Sequence, residues 1–191
     1  MRIITGRARG VRLKSPKGLS TRPTSDRVKE SLFSILGARV VGRRVLDLFA
    51  GTGGLGLEAL SRGAESAVFV DRATESVLRE NAAHTRLDGM ARILRGDVFS
   101  ALSRLASEGE TFDLVFCDPP YRKGLWERTL TALDASTALS EGAIVVVESG
   151  EDEKGIPPLS GLSLAREERY GHTTRVRIFE KRPRQEDEKE V

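Results

Sequence analysis

A glycine loop set between a strand and a helix constrains this chain more than any other feature. Val45-Leu46-Asp47-Leu48-Phe49 is an apolar run of strand length with one acid inside it. It passes through Ala50 into Gly51-Thr52-Gly53-Gly54-Leu55-Gly56, which has the spacing G-x-G-x-x-G, and then into a helical pattern carrying Leu57 and Leu60. Glycines at this spacing let the main chain turn tightly and let a ligand approach the backbone. The loop therefore predicts a nucleotide-type cofactor at the carboxyl end of a parallel strand, without choosing which cofactor.

The rest of the chain repeats that unit. Ala67–Val70 reads as a second strand, followed by a helix at about 74–87, a strand at 91–95, a helix at 98–106 and a strand at 112–117. A helix at about 125–134 and the strand Ala143–Val147 come next. Strands alternating with helices predict an α/β fold with a parallel sheet covered on both faces. The end departs from this: 162–170 and 173–181 read as two strands around Gly171-His172, an antiparallel hairpin at the sheet edge. At the start, 2–5 and 11–14 read as short strands around a Gly6…Gly10 turn, and 15–24 as an irregular linker. A helix is expected from Ser25, with Val28, Leu32, Ile35 and Leu36 on one face and Gly37 as its stop. The expected division is a basic hairpin arm and linker over 1–24, a main domain over 25–182 and a disordered acidic tail over 183–191.

Charge is segregated along the chain. Residues 1–44 hold 12 Lys/Arg and two acids, for +10, against −7 for the remainder and +3 overall. The arm carries Arg2, Arg7, Arg9, Arg12 and Lys14 with no acid and no aromatic, which suits a grip on phosphates rather than stacking on bases. A nucleic-acid partner is expected. Cys117 is the only cysteine, so no intrachain disulfide forms, consistent with a reducing cytoplasm. The first residues lack an apolar core of signal-peptide length, and no apolar run approaches the ~20 residues of a membrane span. His84, His172 and Cys117 lie far apart in sequence, so no metal site is expected.

Four further positions carry chemistry. Asp71 ends the second strand, twenty residues after Gly51, where an acid can accept both hydroxyls of an adenosine ribose. That leaves dehydrogenase and methyltransferase both open. Asp47 and the Asp97 stretch break the tie: an acid at Asp47, inside the first strand, suits a ligand with a cationic end, such as the amino-acid part of S-adenosylmethionine. Asp97, after the third strand, can accept from an adenine amine while Val98 or Phe99 covers the ring. Asp118-Pro119-Pro120-Tyr121 then forms a stiff polar ledge beside a flat stacking surface at a strand end. A planar ring bearing an exocyclic amine would fit it.

Together these residues resemble the ordered motifs of class I methyltransferases acting on exocyclic amines. Arg2-Ile3-Ile4-Thr5-Gly6, Arg22-Pro23-Thr24-Ser25-Asp26-Arg27, Gly56-Leu57-Glu58-Ala59-Leu60 and Tyr170-Gly171 narrow the resemblance to the RsmD family. That likeness spans nearly the whole chain except the acidic tail. It implies methyl transfer from S-adenosylmethionine to the N2 amine of a guanine in 16S ribosomal RNA, within the small subunit or an assembly intermediate, by a cytoplasmic monomer. It implies that Thr24 and Arg27 lie over the cofactor, with Phe49, Ala50, Gly51, Thr52 and Gly53 in the loop below. Asp118 and the Pro119 carbonyl would accept from the amine, Pro120 would stiffen the ledge and Tyr121 would stack on the base. An adenine-N6 methyltransferase shares the ledge but usually carries an added target-reading segment, for which these short connections leave no room. A glutamine methyltransferase usually has Asn at position 118. A nicotinamide dehydrogenase leaves the prolines unexplained, and a non-catalytic RNA-binding module leaves the cofactor acids unexplained.

Overall fold

A computed structural model describes residues 1–16 and 26–183. Thr24, the expected cap Ser25, most of the expected linker and all but Pro183 of the expected tail lie outside the described residues.

Seven strands form one sheet in the order β3-β2-β1-β4-β5-β7-β6. They are β1 (Arg44–Leu48), β2 (Ser66–Asp71), β3 (Ala91–Arg95), β4 (Phe112–Cys117), β5 (Leu139–Gly150), β6 (Leu162–Tyr170) and β7 (Thr174–Lys181). The first five are parallel and the final hairpin is antiparallel. The chain builds outward from β1 through β2 to β3, then returns to place β4 on the other side of β1. Between β1 and β4 the connections leave in opposite directions, which opens a crevice at the carboxyl ends of those strands.

Helices cover both faces. The arm, α1 (Asp26–Leu36), α2 (Gly54–Ser61) and α3 (Glu75–His84) bury Leu32, Phe33, Leu57 and Leu78 against one face. On the other, α4 (Val98–Ser107) and α5 (Leu125–Asp134) bury Leu102, Leu105, Trp126 and Leu130. Gly37, at φ 53, stops α1 by taking a conformation that favours glycine.

The structure refines several expected elements. The third helix ends at His84, and a short 3-10 turn over Asp88–Met90 leads into β3. β5 begins at Leu139, four residues earlier than expected. Gly142, at φ 67, lies in the irregular stretch where pairing with β4 jumps from Phe112↔Leu139 to Leu114↔Ile144. The hairpin lies at the sheet edge, but its second strand, β7, is inserted between β5 and β6. The N-terminal hairpin has one isolated bridge, Arg2↔Arg12, rather than two strands.

That hairpin is packed into the domain. Ile3, Ala8 and Leu13 are buried in the same core as α1, α2 and α3. Gly6, at φ 87, sits so close to α2 that a Cβ would fall 1.8 Å from the Ser61 carbonyl oxygen. The backbone N–H groups of Ile4 and Thr5 donate to the Glu58 carboxylate at 2.8 and 3.1 Å. Lys29 of α1 and Arg62 reach the same carboxylate at 3.2 and 2.8 Å, and the Lys29 and Glu58 side chains are fully buried.

Candidate active site

The glycine loop leaves β1 through Phe49, whose φ of 60 is strained for an aromatic residue. Its glycines divide the work. A Cβ on Gly53 would lie 2.4 Å from Leu78, one on Gly54 2.1 Å from the Met1 sulfur, and one on Gly56 2.3 Å from Phe69. These three let the loop pack onto the domain. At Gly51 the nearest atom to a Cβ would be the Phe49 carbonyl at 3.9 Å, so this glycine borders open space. Thr52 lies beside it, half-buried, and its carbonyl accepts from the Asn81 amide at 2.9 Å. Asn81 is buried in α3 and also exchanges hydrogen bonds with the backbone N–H and carbonyl of Lys14. One amide thus ties the arm to the loop.

Asp71 anchors the loop from β2. Its Oδ2 accepts from the Gly51 N–H at 2.9 Å, and its Oδ1 accepts from the N–H groups of Ala73 and Thr74 at 2.8 and 3.1 Å. The Ala50 N–H adds a bond to the Val70 carbonyl. A carboxylate has about four acceptor positions, so Asp71 caps this turn and still has capacity for a ligand's hydroxyls. Asp97 caps α4, accepting from the Ser100 N–H at 3.0 Å, and pairs with exposed Arg72 at 2.8 Å. The Ser100 bond first, and then Arg72, hold its carboxyl below the ordinary range. Val98 is buried beside it.

Asp47 is 2% exposed, and its Oδ2 accepts from the Gly56 N–H at 2.8 Å at the start of α2. Burial pushes its carboxyl up to about 7 despite that bond, and nearby Asp71 adds to the rise. Folded Asp47 therefore holds its proton at pH values where an unfolded Asp, near 3.8, has lost it. Stability should fall as pH rises between those two values. Melting curves from pH 5 to pH 8 are expected to show the wild type losing a few degrees that Asp47→Asn keeps. Equal curves would show that Asp47 carries no such strain.

Across the crevice stands the ledge. The Asp118 N–H lies 3.5 Å from the Leu48 carbonyl, so the ledge begins beside the end of β1. Asp118 is half-buried, Pro119 buried and Pro120 exposed. The Tyr121 hydroxyl donates to Glu148 Oε1 of β5 at 2.5 Å and lies 3.3 Å from the Thr174 hydroxyl of β7. Burial, then the charge of Glu148, raises the phenol well above its ordinary range. The crevice thus collects Gly51, Asp71, Asp97 and Asp118 at the carboxyl ends of β1 to β4.

The other sequence candidates separate. Arg27 is exposed on α1. Arg2 pairs with Asp26, and Lys14 with Glu80. Arg7, Arg9 and Arg12 are exposed and have no acidic partner among the described residues. Trp126 is buried under the Arg177 guanidinium, 4.5 Å away, and is a packing residue. Tyr170 bonds Ser31 of α1 at 2.7 Å. Among the described residues no group of three or more His, Cys, Asp or Glu could hold a metal ion. Glu58, Asn81 and Glu148 are the residues that sequence reasoning missed. Each reads locally as an ordinary polar position, and a partner that defines its role (Ile4 for Glu58, Lys14 for Asn81, Tyr121 for Glu148) lies at least 27 residues away.

The family model Cons_hypoth95, described as "Conserved hypothetical protein 95", matches residues 1–179. Ribosomal RNA small subunit methyltransferase D of Escherichia coli (strain K12) is 41% identical over 184 residues, covering 95% of this chain and 90% of its own length. The chain belongs to the RsmD family. Solved relatives have the same fold. The putative methyltransferase yhhF of Escherichia coli superposes with a TM-score of 0.82 at 40% identity, covering 95% of this chain and 98% of that one. A hypothetical protein of Thermus thermophilus does so at 0.78 and 33%, covering 93% and 98%. The RsmD-family match begins at residue 1, in keeping with an arm that shares the domain's core.

Proposed function

We propose that this chain transfers a methyl group from S-adenosylmethionine to the N2 amine of a guanine in 16S ribosomal RNA. It acts as a cytoplasmic monomer on the small subunit or an assembly intermediate. The observation that carries this reading is the meeting of the Asp118–Tyr121 ledge with the glycine loop at the β1/β4 crevice. Membership of a family that includes a small-subunit ribosomal RNA methyltransferase supports the substrate. The N2 amine rests on the family resemblance, and so does Thr24 as a cofactor contact.

The residues present suit the cofactor. Gly51 leaves the backbone open where a Cβ would project. Asp71 retains acceptor capacity for ribose hydroxyls, and Asp97 faces exposed Arg72, which an adenine amine would replace. Asp47, whose carboxyl burial pushes up to about 7, would be favoured as an anion by a nearby ammonium. When bound, S-adenosylmethionine supplies an electrophilic methyl carbon on a sulfonium.

The chain's own task is to present the amine. A guanine N2 is a weak nucleophile because its lone pair is delocalised into the ring. Acceptance of its N–H groups by the Asp118 carboxylate and the Pro119 carbonyl favours a pyramidal nitrogen. It also stabilises the positive charge that develops there. Alignment supplies much of the remaining acceleration. The new C–N bond forms as the C–S bond breaks, and the amine then releases one proton readily, so Asp118 need not be a strong base. The base must stand out of its stack to reach the ledge. Arg7, Arg9 and Arg12 would hold the adjoining backbone.

Methyl transfer from labelled cofactor to bare 16S RNA, small subunits and DNA, followed by nucleoside analysis, tests this reading. N2-methylguanine from ribosomal substrates is expected; N6-methyladenine would replace it with the adenine reading. Replacing Arg7, Arg9 and Arg12 by Ser in the same assay is expected to weaken RNA binding. It should lower the slope of log affinity against log salt by about 0.7–0.9 for each phosphate no longer neutralised. An unchanged slope would remove the arm from the interface.

A further inference from the structure

We propose that Glu148 is a positioning residue that fixes the Tyr121 ring for stacking on the target base, a role that rests on the methyltransferase reading above. β4 and β5 run side by side, with Cys117 opposite Val147, so Glu148 follows on β5 where the ledge follows on β4. Glu148 is 9% exposed, and burying a carboxylate is costly without strong partners. Its Oε1 accepts the Tyr121 hydroxyl at 2.5 Å, while Thr174 reaches the phenol oxygen from β7 at 3.3 Å. A charge-assisted bond of this kind holds a group more firmly than a neutral one.

The ring is also held from beside. A Cβ built on Gly150 would lie 3.6 Å from Tyr121 Cδ2, but only 2.7 and 3.0 Å from Asp152 and Glu153 oxygens. The glycine leaves the ring and the acidic turn close together, and a larger residue would push the two carboxylates aside. Glu153 accepts from the N–H groups of Gly150 and Arg122 at 2.7 and 3.0 Å, and Asp152 pairs with the Arg122 guanidinium at 2.8 Å. Residues 121 and 122 are thus clamped to the end of β5. Packing alone would be satisfied by phenylalanine at position 121. The hydroxyl and the buried acid add a fixed orientation, which a base sliding into the crevice needs and a bare core does not.

The charged groups facing the phenol are Glu148 from β5 and Asp118 from the ledge, with the neutral Thr174 from β7. Both charges are negative, so the phenol stays protonated and donates. Its part is orientation, and it does not act as a base.

The test uses the full chain. Glu148→Ala and Tyr121→Phe are each expected to lower kcat on ribosomal RNA by roughly 10–100-fold, with the affinity for S-adenosylmethionine unchanged. The double variant should lose no more than either single one, and Glu148→Gln, which keeps an acceptor, should recover most of the rate. Multiplying losses in the double variant, or full activity in Glu148→Ala, would overturn the proposal. A second measurement needs no RNA. In a Tyr170→Phe background Tyr121 is the only tyrosine, and its ionisation can be followed by ultraviolet difference absorbance after a rapid pH jump. The phenol is expected to ionise well above its usual value of about 10, and lower in Glu148→Gln than with Glu148 in place. Ordinary titration with Glu148 in place would refute the contact. A phenol that ionises high and falls in Glu148→Gln, in a chain that methylates no ribosomal RNA, would keep the contact and reject the methyltransferase reading.

Discussion

Glu58→Ala is expected to lower the free energy of unfolding by about 3–5 kcal/mol, because it strips the partner from a buried charge. The Lys29 ammonium is fully buried, with Glu58 at 3.2 Å and the Arg2 carbonyl at 2.5 Å as its acceptors. Without Glu58 it loses its counter-ion, Arg62 loses its 2.8 Å partner and the arm loses acceptors at Ile4 and Thr5. Burial already pulls Lys29 below its ordinary value, and the attraction of Glu58 opposes this. The native state of the variant would therefore hold that proton less tightly than the unfolded state. Its stability should rise with pH through the window below 10.5, so the deficit against wild type should be smaller at about pH 9 than at about pH 7. Denaturant titrations at both values check the sign. Limited trypsin digestion should cut at Arg7 and Arg9 once the arm is released. A companion Glu58→Gln/Lys29→Met variant, which removes both charges and keeps an acceptor, should recover most of the loss. Failure of that recovery would mean that packing, rather than the ion pair, holds the arm.

Asp118→Ala should cost about 10²–10³ in turnover while leaving S-adenosylmethionine affinity near the wild-type value. The size follows from removing one acceptor aimed at charge that exists only as the amine reacts. The Pro119 carbonyl, the alignment of the base and the anchored Tyr121 remain. Isothermal calorimetry with the cofactor and single-turnover methylation of RNA separate the two quantities. Equal losses in binding and turnover would assign Asp118 to the cofactor instead.

Much of the scaffold was legible in the sequence because it rests on local periodicity. The β1–Gly51 loop–α2 unit, the alternating elements to β5 and the final hairpin all follow from spacing and turn residues. The position of β7 did not. Thr174-Arg175-Val176-Arg177 alternates charge with apolar residues, the pattern of a strand with one wet face. Both arginines are nevertheless buried. Glu167 takes Arg175 at 2.6 Å and Arg177 at 2.9 Å, loop carbonyls accept from both guanidinium groups, and Trp126 supports Arg177. Charge matching across a strand pair converts an edge pattern into an interior strand, and no single strand's sequence contains that information. The candidate site divides the same way. Its glycines and acids are read from motifs, whereas Glu58, Asn81 and Glu148 become visible only when distant elements meet.

The docking of the arm also has a consequence for the order of events during synthesis. Residues 1–14 are made first, yet their partners are Glu58, Ser61 and Asn81. Lys14 waits for an amide 67 positions later. At about 5–20 residues per second, that segment spends roughly 3–13 s outside its final setting. Over that time Ile3 and Leu13 lack the part of their core that α2 and α3 supply, and Arg7, Arg9 and Arg12 travel with them. An arm made before its partners can settle only after them, and its seating reports that the glycine loop and α3 behind it have already formed.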